Sequence, residues 1–161
     1  MAAETGATPN LRHLMKDVVA TQTQTIWDVT SNAMDDNGAP DPTKLKPEDW
    51  ARLAAAAVKV KAAAQNLATA PHVLAAAPGE KLEGEGGTSG GFGAKQVQQA
   101  IDANPKAFQA FAQQLNGSMD EIIAGVKAKN AKQVFDVSNR LDQECEHCHK
   151  QFWYPDLASQ R

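Results

Sequence analysis

Cysteine is nearly absent from this chain: Cys145 and Cys148, three positions apart, are the only two in 161 residues. A pair so close together cannot staple a domain of this size, which excludes a disulfide framework and points to a cofactor, a metal or redox chemistry. A surplus of positive charge is missing too. Lysine and arginine number 16 against 19 aspartates and glutamates, a formal charge of −3 with a pI near 5.8, so the chain lacks the basic face with which a protein displaces counterions from nucleic acid. No apolar run approaches the roughly 20 residues that cross a bilayer, and no basic stretch leads into a hydrophobic segment of signal-peptide type. Bulky apolar side chains are scarce as well. Leu, Ile, Val and Phe make up about 18 % of the chain, near the level at which disorder becomes an option, yet low net charge and regular periodicity argue for a folded domain. With alanine supplying much of the apolar content, a large apolar cofactor would help to fill its core.

Proline placement divides what is there. The prolines stand at 9, 40, 42, 47, 71, 78, 105 and 155, and the long intervals between them are where helices can run. Thr8 and Pro9 read as cap and first position of helix one, which carries Leu11, Leu14, Met15, Val18, Val19, Ile26 and Trp27 at helical spacing over about 9–34. Pro47, followed by Glu48 and Asp49, opens an Ala-rich helix two over 47–70. Seven of the eleven glycines fall from Gly79 to Gly93, so 71–103 reads as a long Gly-rich loop, with a short helix around Lys95 to Asp102. Asn104 and Pro105 begin helix three over 105–128, whose stripe runs Phe108, Phe111, Leu115, Met119, Ile122, Ile123 and Val126. Asn130 and Gln133 resemble a capping box for helix four over 131–154, with a seam of Val134, Ser138, Leu141, Cys145, Cys148 and Phe152. No strand pattern competes. The fold class is therefore all-α, a single domain over 1–161 arranged as an antiparallel four-helix bundle. In that topology Met15, His72, the Gly-rich loop, Phe108 and the cysteines gather at one pole.

The last helix contains Cys145-Glu146-His147-Cys148-His149, a CxxCH motif. Two thiols at this spacing can add across the two vinyl groups of one porphyrin, while the adjacent imidazole reaches the iron. Residues three and four apart share a helix face, so Cys145, Cys148 and His149 can address one flat ligand, whereas His147 lies roughly 200° from His149 and points to solvent. Half of a zinc site also reads this way, but four tetrahedral ligands would require His147 and His149 to bend the helix. A thioredoxin-like pair would sit in a βαβ pattern that this chain lacks.

On these residues the chain resembles the cytochrome c′ family, the class II c-type cytochromes, and its low-spin Met-ligated relatives. The resemblance implies a four-helix bundle with one covalent haem c on Cys145 and Cys148 and with His149 as axial ligand. Phe152 matches the family's aromatic residue three positions after the histidine. Arg12 matches a basic residue beside a haem propionate, and Met15 falls near the position facing the open side of the iron. Met15 stands three residues after Arg12, where the family spacing is four. Such attachment implies export to the periplasm, and the start Met1-Ala2-Ala3-Glu4 reads as a mature chain with its signal peptide removed and an initiator Met added.

Position along the helices singles out Met15 among the four methionines. Met1 is terminal, Met34 belongs to the far pole, and Met119 lies roughly 21 Å into helix three, whereas Met15 and His149 lie at similar depths of roughly 9 and 6 Å. His13 and His72 are lesser candidates. The expected function is electron transfer by a periplasmic monohaem c-type cytochrome, with His149 and Met15 as metal ligands and a redox partner protein. The alternative is a five-coordinate haem protein binding small gases such as NO or CO under Met15, Val19, Phe108 and Phe111. No distal acid–base pair marks an enzyme such as a peroxidase. A homodimer stays open.

Overall fold

The computed structural model describes residues 7–85 and 91–154, and among these the chain is all-helical, with five helices and no strands. Helix α1 comprises α-helical Leu11–His13, a π-helical stretch Leu14–Val19 and α-helical Ala20–Asn32, on continuous right-handed backbone. After a 3₁₀ turn at Pro42–Lys44 come α2, Pro47–Thr69, α3, Ala94–Ala103, α4, Pro105–Lys127, and α5, Ala131–Phe152. Proline sits at the first position of both α2 and α4, where its missing N–H has no intrahelical partner to lose. Asn104 and Asn130 cap α4 and α5, their side-chain oxygens accepting from the Ala107 and Gln133 amides.

Helix α1 departs from expectation at both ends. It begins at Leu11 with Asn10 as cap, two residues after the expected start at Pro9. Tertiary pairing explains the shift: Leu74 N–H donates to the Pro9 carbonyl at 2.9 Å and Leu11 N–H donates to the Leu74 carbonyl at 2.7 Å, holding Asn10 in extended backbone. Its other end comes at Asn32, because Ala33 and Met34 turn out of the helix to engage Asp41 and Pro40. Within the helix, the Ala20 amide reaches the Met15 carbonyl five residues back, and the Thr21 hydroxyl bonds to the Lys16 carbonyl, also five back. These bonds widen the turn on which Met15 sits.

The short helix expected around Lys95 to Asp102 within the 71–103 connection is α3, one residue longer at each end, with Val97 and Ile101 buried. Of the Gly-rich stretch, 86–90 lies outside the described residues. Helix α5 stops at Phe152, two residues short of the expected end, because the Trp153 and Tyr154 amides both bond to the His149 carbonyl.

Two groups of buried side chains make the core. One holds Val19, Ile26, Val29, Leu53, Val60, Met119, Ile122, Val134, Phe135 and Leu141, with Ala56, Ala57 and Ala63 letting α2 approach its neighbours closely. The other joins Leu67 of α2, Val73 and Ala75 of the connection, Val97 and Ile101 of α3, Phe108 and Ala112 of α4, and Phe152 of α5. Leu14 and Met15 pack against both groups. A polar tie crosses the first group, where the Thr30 and Ser138 hydroxyls meet at 2.9 Å and Trp27 Nε1 donates to the Ser138 carbonyl. No described helix is long and apolar enough to cross a membrane.

Candidate functional site

The seam of α5 is fully buried from Val134 to Leu141, becomes half-buried at Cys145, Cys148 and His149, and is buried again at Phe152. Its half-buried stretch is the CxxCH motif. Cys148 packs against the second core group, which Leu11, Leu14, Met15, Phe111 and Trp153 also flank. Phe152 stands edge-on to Phe108, with centroids 5.5 Å apart at 86°, and to Phe111, at 6.1 Å and 88°. The surroundings of the Cys148 sulfur are therefore apolar and aromatic. Burial pushes the Cys148 thiol up to about 12 and the Cys145 thiol up to about 11, with Glu144 and Asp142 adding to the rise at Cys145. Both thiols are free and neutral.

His149 is held below the ordinary histidine value of 6.5 by burial, against the opposing charge of Glu146, so its ring is neutral at pH 7. Its Nδ1 lies 3.2 Å from the Tyr154 hydroxyl oxygen, and that hydroxyl donates to Glu146 Oε2 at 2.7 Å. Burial and the bond to Glu146 push Tyr154 up to about 12. Trp153 sets its ring at 88° to the imidazole, centroids 5.1 Å apart. The connection holds this end of α5 in turn: the Phe92 amide donates to the Trp153 carbonyl at 2.6 Å, and the Gly91 backbone lies against the indole. Trp153 Nε1 is buried without a hydrogen-bond partner among the described residues.

Met15, Cys148 and Phe152 are thus brought into one apolar group, and His149 lies on the same turn of α5 as Cys148. Arg12 is engaged elsewhere. Its Nε donates to the Lys81 carbonyl at 2.9 Å and its Nη1 lies 3.6 Å from Glu80. Glu80 also accepts from Asn10 Nδ2 at 3.0 Å and from the Ala77 amide at 2.8 Å, and it meets His13 Nε2. The two lesser histidine candidates are separated from the motif: His13 lies on Glu80, while His72 lines a cavity of about 390 Å³ with Leu67, Val73, Ile101 and Phe108. His147 is exposed, as its helix position predicts. Met119 is wholly enclosed in the first core group.

Among the described residues no three His, Cys, Asp or Glu side chains converge as a metal-holding group, so the four-ligand zinc reading finds no support in the placement of donors. The chemistry of the set fits a covalently held porphyrin better: two neutral thiols on one helix face, one neutral imidazole, a thioether nearby and aromatic walls. Sequence reasoning missed Tyr154 and Glu146 as partners of His149. Their signal was slight, an acid inside the motif and the chain's only tyrosine just before Pro155. No protein-family model, curated protein sequence or solved structure matches the chain.

The Glu80 contacts carry a prediction about acid. The Asn10 side chain, then the Ala77 amide and then His13 pull the Glu80 carboxyl down from its ordinary 4.5 to about 2. A carboxylate depressed on folding stabilises the fold fully above its unfolded pKa, and the contribution is lost as pH falls through the folded one. The tie between α1 and the connection should therefore weaken from about pH 4.5 to about pH 2. Thermal midpoints of wild type and Glu80→Gln, measured across that interval, should differ most near pH 5 and converge near pH 2. A constant difference would remove Glu80 ionisation as the cause.

Proposed function

We propose that the chain is a monohaem c-type cytochrome of electron transfer, carrying one haem c through thioethers at Cys145 and Cys148 and ligating its iron with His149 and Met15. We read α1, α2, α4 and α5 as an antiparallel four-helix bundle, with the Gly-rich connection screening one porphyrin edge beside Trp153. The observation that carries the reading is the presence of Met15 and Cys148 in one apolar aromatic group, with a neutral His149 one residue further along α5. Leu11, Leu14, Phe108, Phe111 and Phe152 supply low-polarity walls around the site. When bound, the haem supplies a one-electron iron couple, and a thioether ligand raises its potential. The role is that of a carrier between partner proteins and not of an enzyme. Formation of the thioethers places the protein in the periplasm.

Intact mass after acid–acetone extraction of free haem, together with optical spectra in both oxidation states, tests this. The matured protein should keep the mass of one porphyrin, be low-spin in both states, and show the weak near-red ferric band of thioether coordination. A mass equal to the bare polypeptide would sink the proposal. High-spin spectra in both states would replace electron transfer with the binding of small gases such as NO or CO.

A further inference from the structure

We propose that Tyr154 and Glu146 are positioning residues for His149, holding its proton on Nδ1 so that Nε2 presents its lone pair to the iron. This rests on reading CxxCH as a haem site. Tyr154 has one hydroxyl hydrogen, and Glu146 Oε2 takes it at 2.7 Å. An ionised carboxylate only accepts. The same tyrosine oxygen lies 3.2 Å from His149 Nδ1, and with its hydrogen engaged it can meet that nitrogen in a hydrogen bond only as acceptor. Nδ1 is therefore the protonated nitrogen and Nε2 the free one.

The backbone builds the arrangement. Both the Trp153 and Tyr154 amides bond to the His149 carbonyl, at 2.8 and 2.9 Å, which folds the chain back over the last turn of α5 and brings the hydroxyl to the imidazole. Lys150, 3.6 Å from Glu146 Oε1, helps to hold the carboxylate, and Trp153 stands edge-on to the ring. A metal-bound histidine that donates its other N–H to an acceptor is fixed in orientation and made a stronger donor. Stronger donation favours ferric over ferrous iron, so removing the acceptor raises the potential.

The test uses the haem-loaded full chain. Tyr154→Phe keeps a ring beside His149 and Trp153 but loses the oxygen. It should shift the ferric–ferrous equilibrium about tenfold toward the ferrous form, which for one electron is a rise of about 59 mV. The visible spectrum should keep its ligand set, and the His149 Nδ1 proton should exchange with solvent faster by NMR of the reduced protein. Glu146→Gln, at a partly exposed position, should shift the equilibrium in the same direction by less, and it carries the test alone if Tyr154→Phe does not fold. Unchanged potentials and unchanged exchange in protein whose mass includes the haem would overturn the positioning role and leave haem attachment standing. A bare-polypeptide mass would overturn both.

Discussion

Met15→Ala is expected to turn a low-spin ferric protein high-spin, abolish its near-red band and speed the binding of carbon monoxide to the ferrous form. On the proposed ligation, the gas must first displace the Met15 thioether in the wild type. If that bond contributes about 2.8 kcal/mol, its loss raises gas affinity about a hundredfold. The potential should fall at the same time, since thioether ligation raises it. Damage to the fold should be small. Met15 is only partly buried, so the cost stays under the roughly 2 kcal/mol at which complete Met-to-Ala burial losses begin, and the bond from the Ala20 amide to the Met15 carbonyl is backbone and survives the substitution. Stopped-flow mixing with carbon monoxide and ferric spectra of both proteins check this. Low-spin spectra that persist in the variant would pass the ligand to His13 or His72, and the chain would then have to move either from Glu80 or from the cavity beside Val73.

Phe135→Ala should be the most damaging single truncation in the core. Phe135 is wholly buried in the first core group with Ile26, Leu53, Met119 and Ile122, and it lies on α5, the helix that carries the cysteines. Removing a buried phenyl ring costs about 3–5 kcal/mol, the transfer of the lost atoms plus the cavity left behind. Against a net stability of about 5–15 kcal/mol this is a large share. For a domain of this size it corresponds to a fall of about 6–20 °C in thermal midpoint. Calorimetry of the two proteins at one pH and one haem content would show it, and a fall under about 3 °C would mean that the neighbours close the space.

Pro47 and Pro105 marked the starts of α2 and α4 to the residue because a fixed φ and a missing N–H act locally. The CxxCH motif was legible for the same reason, its spacing being set within one turn. The start of α1 was not, since it depends on Leu74, which lies beyond an entire helix and its approach. Nor was the engagement of Arg12, whose partners Glu80 and Lys81 come from the connection. The widened turn at Met15 escaped because a short π-helical stretch inside a long helix carries no sequence signal apart from the apolar stripe of α1 itself. The partners of His149 escaped because Tyr154 reaches the ring only after the chain turns back beyond Phe152.

The first turn of α1 has a further consequence, for electrostatics. A helix N-terminus ordinarily offers unpaired amides and a positive dipole end to small anions. Here the Leu11 and Arg12 amides donate to the Leu74 and Ala75 carbonyls, and the His13 amide donates to Asn10 Oδ1. The Glu80 carboxylate lies against Asn10, Arg12 and His13, supplying the chain's own negative charge where a phosphate or propionate would otherwise sit. The start of α1 is therefore electrically self-contained. By contrast, a donor beside the second core group, the buried indole N–H of Trp153, has no acceptor among the described residues.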